Sequence, residues 1–168
     1  MKTTFFKGLR STKPQKVTDI SEILSGIQNG LWKESVLKCR TDLKYKDFLP
    51  CFTPTGVFNH RSIKGLEEYN GVICLDIDHV ADPEVLKQRA SKLGWVMAAF
   101  VTPSGQGLKV IVKTTATPET FKQTEAQVAD AFLEATGCAR DNRCKDIARI
   151  QFVSYDPDMY YNPGSSAF

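Results

Sequence analysis

The chain has 168 residues, of which 42% are hydrophobic and 24% charged, and it carries a net charge of +3. That length builds one full core rather than two, and the charged share is that of an ordinary globular protein, which excludes a disordered chain or a coiled coil. The weak positive balance permits a polyanionic partner without arguing for one.

The opening stretch MKTTFFKGLRSTKPQK holds only the apolar pair Phe5–Phe6, so it is not read as a secretion signal. No run approaches the roughly 20 apolar residues that cross a bilayer. Five cysteines (Cys39, Cys51, Cys74, Cys138, Cys144) stand at scattered spacings without a CxxC pair, and the only histidines are His60 and His79. A structural zinc site needs four clustered ligands, so reduced thiols in the cytoplasm are the expectation.

Thr18-Asp19 caps a helix expected through Ile20, Ile23, Leu24 and Ile27, whose spacing traces one helical face, with Asn29-Gly30 as its stop. A second helix is expected from Trp32 to about Leu43, making the N-terminal half helical. Phe48 to Phe58, with its prolines and glycine, reads as strand-turn-strand or an extended loop. Gly71 to Ile77 is a short apolar run suited to a buried central strand. Asp82 to Leu93 follows as a helix with Pro83 in its first turn and Gly94 at its end. Trp95–Val101 and Leu108–Val112 are strands around the turn Thr102–Gly107, Glu119 to Thr136 is a long helix closing at Gly137, and Ala148 to Ser154 is a last strand. Asp156 onward reads as turn and tail. The predicted class is α+β, a βαββαβ half behind a helical N-terminal half, with all strands in one mixed sheet flanked by helices.

Three segments carry chemistry. In LDIDH, Asp76 and Asp78 are two apart at a strand end, so both carboxylates point to one face. Two anions that close repel, and Mg²⁺ or Mn²⁺ relieves them; the alternative is that one caps the next helix while the other is solvated. In the turn from Thr102 to Lys109, Gly105 and Gly107 let backbone N–H groups approach a ligand, Ser104 adds a hydroxyl and Lys109 a cation. That makes a phosphate cradle or an ordinary glycine hairpin, and it is not a Walker A loop. Asp141 to Arg149 mixes acids and bases ahead of the last strand; taken locally it is a salt-bridged surface loop.

The order of these segments resembles the archaeo-eukaryotic primase superfamily, and the phrases CFTPTGVF, YNGVICLDIDH, TPSGQGLKVIV and ARIQFVSYDPD are most similar to the VirE N-terminal domain family of bacterial mobile-element proteins. The likeness runs from about Phe48 to Asp158 within a single 1–168 domain. It implies a primase-polymerase-like core with an RRM-like half, and metal-dependent nucleotidyl transfer in replication of a mobile element. Asp76, Asp78 and Asp141 would then hold two Mg²⁺ or Mn²⁺ ions on a nucleoside triphosphate, Ser104, Gly105 and Gly107 would bind phosphate, and Arg149 would lie near the nucleotide. Asp146 competes with Asp141 as the third ligand, and spacing favours Asp141. The implied partners are single-stranded DNA as template and a C-terminal helicase or DNA-binding domain in a longer protein. Lys44, Lys46, Arg61 and Lys64 are candidate phosphate contacts, with Tyr45, Phe48 and Phe58 as stacking candidates.

The chain departs from the family pattern at Lys109, where active primases usually carry His. Lysine contacts phosphate as a point charge but lacks an imidazole's nitrogens. Two other readings therefore stay open: a primase-fold module that binds nucleotide or nucleic acid without turnover, and a metal-dependent phosphohydrolase or nuclease.

Overall fold

The computed structural model describes residues 1–142 and 146–168. In chain order the elements are β1 (Lys2–Phe6), β2 (Lys16–Asp19), α1 (Ile20–Gln28), α2 (Lys33–Thr41), a 3-10 helix (Leu43–Phe48), β3 (Cys51–Thr53), β4 (Gly56–Phe58), a second 3-10 helix (Ile63–Gly65), β5 (Leu66–Tyr69), β6 (Val72–Ile77), α3 (Pro83–Ala90), β7 (Val96–Val101), β8 (Leu108–Lys113), α4 (Phe121–Thr136), β9 (Gln151–Phe152) and β10 (Tyr160–Tyr161).

The class is α+β, but the strands do not share one mixed sheet. They form a first sheet of order β2-β1-β3-β9, a second of order β10-β7-β8-β6 and a separate β4-β5 pair, and every pairing among them is antiparallel. β6 and β7 both pair with β8, one on each side, so α3 carries the chain over β8 in a split β-α-β arrangement. The predicted last strand departs from a βαββαβ sheet: its ordered part, β9, joins β3 in the first sheet. β6 is consequently an edge strand rather than the predicted central one, although all six of its residues are buried. Its outer side is met near Asp76, whose carbonyl accepts a hydrogen bond of 2.7 Å from the Asp141 N–H.

The N-terminal half is not simply helical. Lys2–Phe6, to which the sequence reading assigns no element, forms a central strand of the first sheet, with Thr3 and Thr4 fully buried. Their hydroxyls bond across strands, Thr3 to the Thr53 carbonyl at 2.6 Å, while Thr4 Oγ1 accepts from the Phe58 N–H at 2.7 Å. Buried hydroxyls satisfied in this way no longer oppose burial.

The second sheet is buried on both faces. Alternation places Val72 and Cys74 of β6 toward a core shared with Phe5, Phe52, Leu49, Phe100 and the apolar faces of α1 and α2. Ile73, Leu75 and Ile77 point the other way, into a core with Leu86, Val128 and Phe132 of α3 and α4. By the same alternation Asp76 projects from the face that looks toward the first sheet.

Candidate active-site cleft

Asp76 lies directly opposite Lys109 in the β6–β8 register, and Lys109 lies opposite Phe100 on its other side. Facing positions on adjacent antiparallel strands bring side chains together, and here Lys109 Nζ forms an ion pair with the Asp76 carboxylate. Both side chains are nearly buried, at 9% exposure for Asp76 and 6% for Lys109. The lysine therefore does part of the neutralising that the sequence assigns to a metal.

β6 ends at Ile77, and Asp78 and His79 are exposed beyond it. His79 has φ of 55°, the one positive φ at a non-glycine among the described residues. That left-handed turn reverses the chain after Asp78, and the Val80 N–H is then held by the Gln106 carbonyl at 2.9 Å. The strand end carrying both aspartates is thus clamped to the glycine turn. Gly107 makes the clamp close: a Cβ there would lie 2.5 Å from the Ile77 carbonyl oxygen.

Asp76 and Asp78 open into a cleft of about 630 Å³ whose walls also include Lys109, Thr102, Asp141, Asp146, Arg149, Lys46 and Arg61. Asp141 is fixed from two directions, by its own N–H on the Asp76 carbonyl and by its neighbour Arg140, whose Nη2 bonds Oε2 of buried Glu125 at 3.1 Å. Asp146 and Arg149 are joined by a hydrogen bond of 3.1 Å from the Arg149 N–H to the Asp146 carbonyl. Lys46 Nζ sits 5.4 Å from the ring centre of Phe152, and Phe152 lines the cleft as well. Beside Arg61, burial pushes the Cys51 thiol up to about 11, against the pull of the guanidinium.

The structure thus brings Asp76, Asp78, Asp141, Lys109 and Arg149 to one cavity, and Asp146 with them. It does not bring the turn residues there in the same way. Thr102 and Pro103 line the cleft, whereas Ser104 Oγ is engaged with Thr102 Oγ1 at 3.0 Å, and Gly105 lines a smaller cavity beside Arg40 and Tyr155. Gly107 acts through close packing on β6. Sequence reading singled out Lys46 and Arg61 only as template contacts and missed Ser62, Ile63 and Phe152; the polar loop NHRSIKG was the signal available for the first two.

Carboxylates as the acidic donor set match a hard divalent cation. Among the described residues, however, no three His, Cys, Asp or Glu side chains form a cluster placed to hold a metal ion. The residues fit such an ion in chemical type alone, and Asp76 is already paired with Lys109. Also among the described residues, no helix is long and apolar enough to cross a membrane.

Comparison with curated proteins and with solved structures gives no match. The family comparison does: residues 44–161, from the first 3-10 helix through β10, match the family described as BT4734-like, N-terminal domain, and since that is well over half of the chain, the protein belongs to this family.

Proposed function

We propose that the cleft binds a nucleoside triphosphate with Mg²⁺ or Mn²⁺ and that the domain is a primase-polymerase-like nucleotidyltransferase acting on DNA. The observation that supports this most is that Asp76, Asp78, Asp141, Lys109 and Arg149, far apart in the chain, line one cavity. The likeness to the VirE N-terminal and primase families supports it from the sequence side.

Asp78 and Asp141 are the main holders of the cation, with Asp76 oriented by Lys109. When bound, the ion supplies Lewis acidity at phosphoryl oxygens. Arg149 and Lys109 hold the triphosphate by charge, and the β6 end, clamped by the glycine turn, fixes the distance between the two aspartates. Lys46 and Arg61, which also line the cleft, attract a phosphate backbone such as a single-stranded DNA template.

A second reading, a binding module without turnover, is favoured by one specific observation, the Lys109–Asp76 ion pair. A cation already seated on one of the carboxylates lowers the need for metal there. Calorimetric titration of Mn²⁺ and ATP into wild type and an Asp76→Ala/Asp78→Ala variant separates these ideas, followed by primer synthesis on single-stranded DNA. Metal-dependent binding lost in the variant, together with oligonucleotide product, supports the transferase. Binding without product supports the second reading, and a Lys109→His variant that gains product would locate the cause. Equal behaviour of wild type and variant sinks both.

A further inference from the structure

Ser62 lines the cleft between Arg61 and Ile63. It is the N-cap residue of the 3-10 helix Ile63–Gly65, yet its hydroxyl makes no capping bond. A serine at an N-cap ordinarily bonds a backbone N–H, which stabilises by about 1 kcal/mol. Here Ser62 Oγ is instead 2.7 Å from His60 Nε2. His60 Nδ1 is in turn 2.5 Å from Asn59 Oδ1. Asn59 is itself oriented, because its Nδ2 donates to Glu67 Oε1 at 3.1 Å and so leaves Oδ1 as the acceptor toward the ring. That chain of bonds selects one tautomer: the proton on Nδ1 faces Asn59, and the lone pair on Nε2 faces the serine hydroxyl.

The loop has little freedom to arrange itself otherwise. The Asn59 N–H bonds the Gly65 carbonyl at 2.9 Å and the Ser62 N–H bonds the His60 carbonyl at 2.8 Å. A Cβ at Gly65 would lie 2.3 Å from the His60 carbonyl oxygen, 2.9 Å from His60 Nδ1 and 3.0 Å from Asn59 Oδ1. Glycine at 65 is what lets the ring and the amide meet.

We propose that Asn59, His60 and Ser62 form a relay that activates the Ser62 hydroxyl as a nucleophile toward a phosphorus centre bound in the cleft. A nucleophile on a base, with the base oriented by a third group, is the arrangement that makes a serine reactive at neutral pH. The cations that line the same cleft, Arg61, Lys46 and Arg149, favour a phosphoric anhydride by stabilising the anionic phosphate or pyrophosphate that leaves. In the step, Ser62 Oγ attacks phosphorus and its proton passes to His60 Nε2. The Oγ–P bond forms, the P–O bond to the departing phosphate or pyrophosphate breaks, and that group leaves as an anion. Ser62 touches the reacting atom, while His60 and Asn59 act through it. The proposal rests on the cation-lined wall and the relay, not on metal binding by the aspartates.

The test uses a fluorophosphonate probe on the full chain, which contains no nucleotide and needs no metal. Attack then releases fluoride and leaves the phosphonyl group on Ser62. Wild type is expected to acquire one adduct, placed on Ser62 by peptide mass spectrometry, and Ser62→Ala none. Because a positioned base contributes about 10²-fold or more, His60→Ala is expected to slow labelling by at least about 100-fold. Gly65→Ala, with the three relay side chains present but displaced, is expected to be slow as well. His60 is exposed, and an unchanged thermal unfolding curve of His60→Ala keeps its slow labelling from being a folding defect. Millimolar pyrophosphate is expected to protect Ser62. An unlabelled wild type, a His60→Ala rate within twofold of wild type, or an adduct elsewhere overturns the relay; labelling indifferent to pyrophosphate overturns the phosphoric-anhydride assignment.

Discussion

Replacing Lys109 by Met removes one half of a nearly buried ion pair and leaves the Asp76 carboxylate without the lysine. Breaking such a pair costs about 3–5 kcal/mol, because the remaining charge stays desolvated after losing its countercharge. Asp76 opens on one side to the cleft, so the lower end, about 3 kcal/mol, is the expected loss. For a chain of this length each kcal/mol moves Tm by about 2–4 °C, giving a fall of about 6–12 °C. Urea unfolding of wild type, Lys109→Met, Asp76→Asn and the double variant closes a cycle whose coupling energy isolates the pair from the other contacts of each residue. Asp76→Asn/Lys109→Met is expected to recover part of the single-variant loss, since no charge is then stranded. If the cleft is a cation site, Mn²⁺ raises the Tm of Lys109→Met more than that of wild type, by binding the vacated carboxylate in the folded state alone. A loss under about 1 kcal/mol, the range of exposed pairs, would refute the claim that this pair is desolvated.

Gly107→Ala is expected to be worse than Gly105→Ala in chemical denaturation. The first forces a Cβ against the Ile77 carbonyl at 2.5 Å and should cost about 1–3 kcal/mol, whereas the second places alanine at φ of 77° with only the Arg40 side chain at 3.6 Å and should cost about 1 kcal/mol. Lys87→Met should lose about 3 kcal/mol, since Asp156, 3% exposed, accepts from Lys87 Nζ on both oxygens at 2.9 and 2.8 Å and would keep only the backbone N–H groups of Val101 and Asp158 against its charge. Asp156→Asn should lose less, because Glu84 still meets the lysine at 2.8 Å. At alkaline pH, burial raises the Cys51 thiol from 9.0 to about 11 in the folded protein. The neutral thiol is favoured by folding, so its contribution is complete below pH 9 and is lost as pH rises from about 9 to 11. Cys51→Ala should flatten the fall in unfolding free energy across that window by up to about 1.4 kcal/mol per pH unit, and an unchanged slope would be inconsistent with the burial argument.

Local signals located the second half of the fold well. The VICLDI and VMAAFV runs, the Asp82 side chain accepting from the Glu84 and Val85 N–H groups, and Gly137 at φ of 74° after α4 are features that a few neighbouring residues specify. What escaped depends on distant partners. KTTFF carries no strand signal of its own until Thr53 and Phe58 are there to satisfy its hydroxyls, and β10 is two residues long, defined only by Ala98 and Ala99 across from it. The position of β6 at an edge was equally hidden, since a strand buried by helices on one face and another sheet on the other has the composition of a central one. In the cleft, the shared side of Asp76 and Asp78 follows from strand alternation, whereas the pairing of Asp76 with Lys109 depends on the β6–β8 register, which no local segment specifies. The direction of the glycine turn was not, because Ser104 bonds within its own turn and Gly105 faces Arg40.

The central place of β1 in the first sheet has a practical consequence for anyone expressing the domain. The family match begins at residue 44, beyond β1, β2, α1 and α2. A fragment cut there would strip β3 of its partner on one side and bare Phe52, which pairs across to Phe5. It would also remove the four buried apolar residues of α1 that cover the same core, Ile20, Ile23, Leu24 and Ile27. Such a fragment would keep the cleft aspartates in its sequence while exposing a bare apolar sheet edge, the kind of surface that drives aggregation. The minimal folding unit extends well upstream of the segment by which the family is recognised.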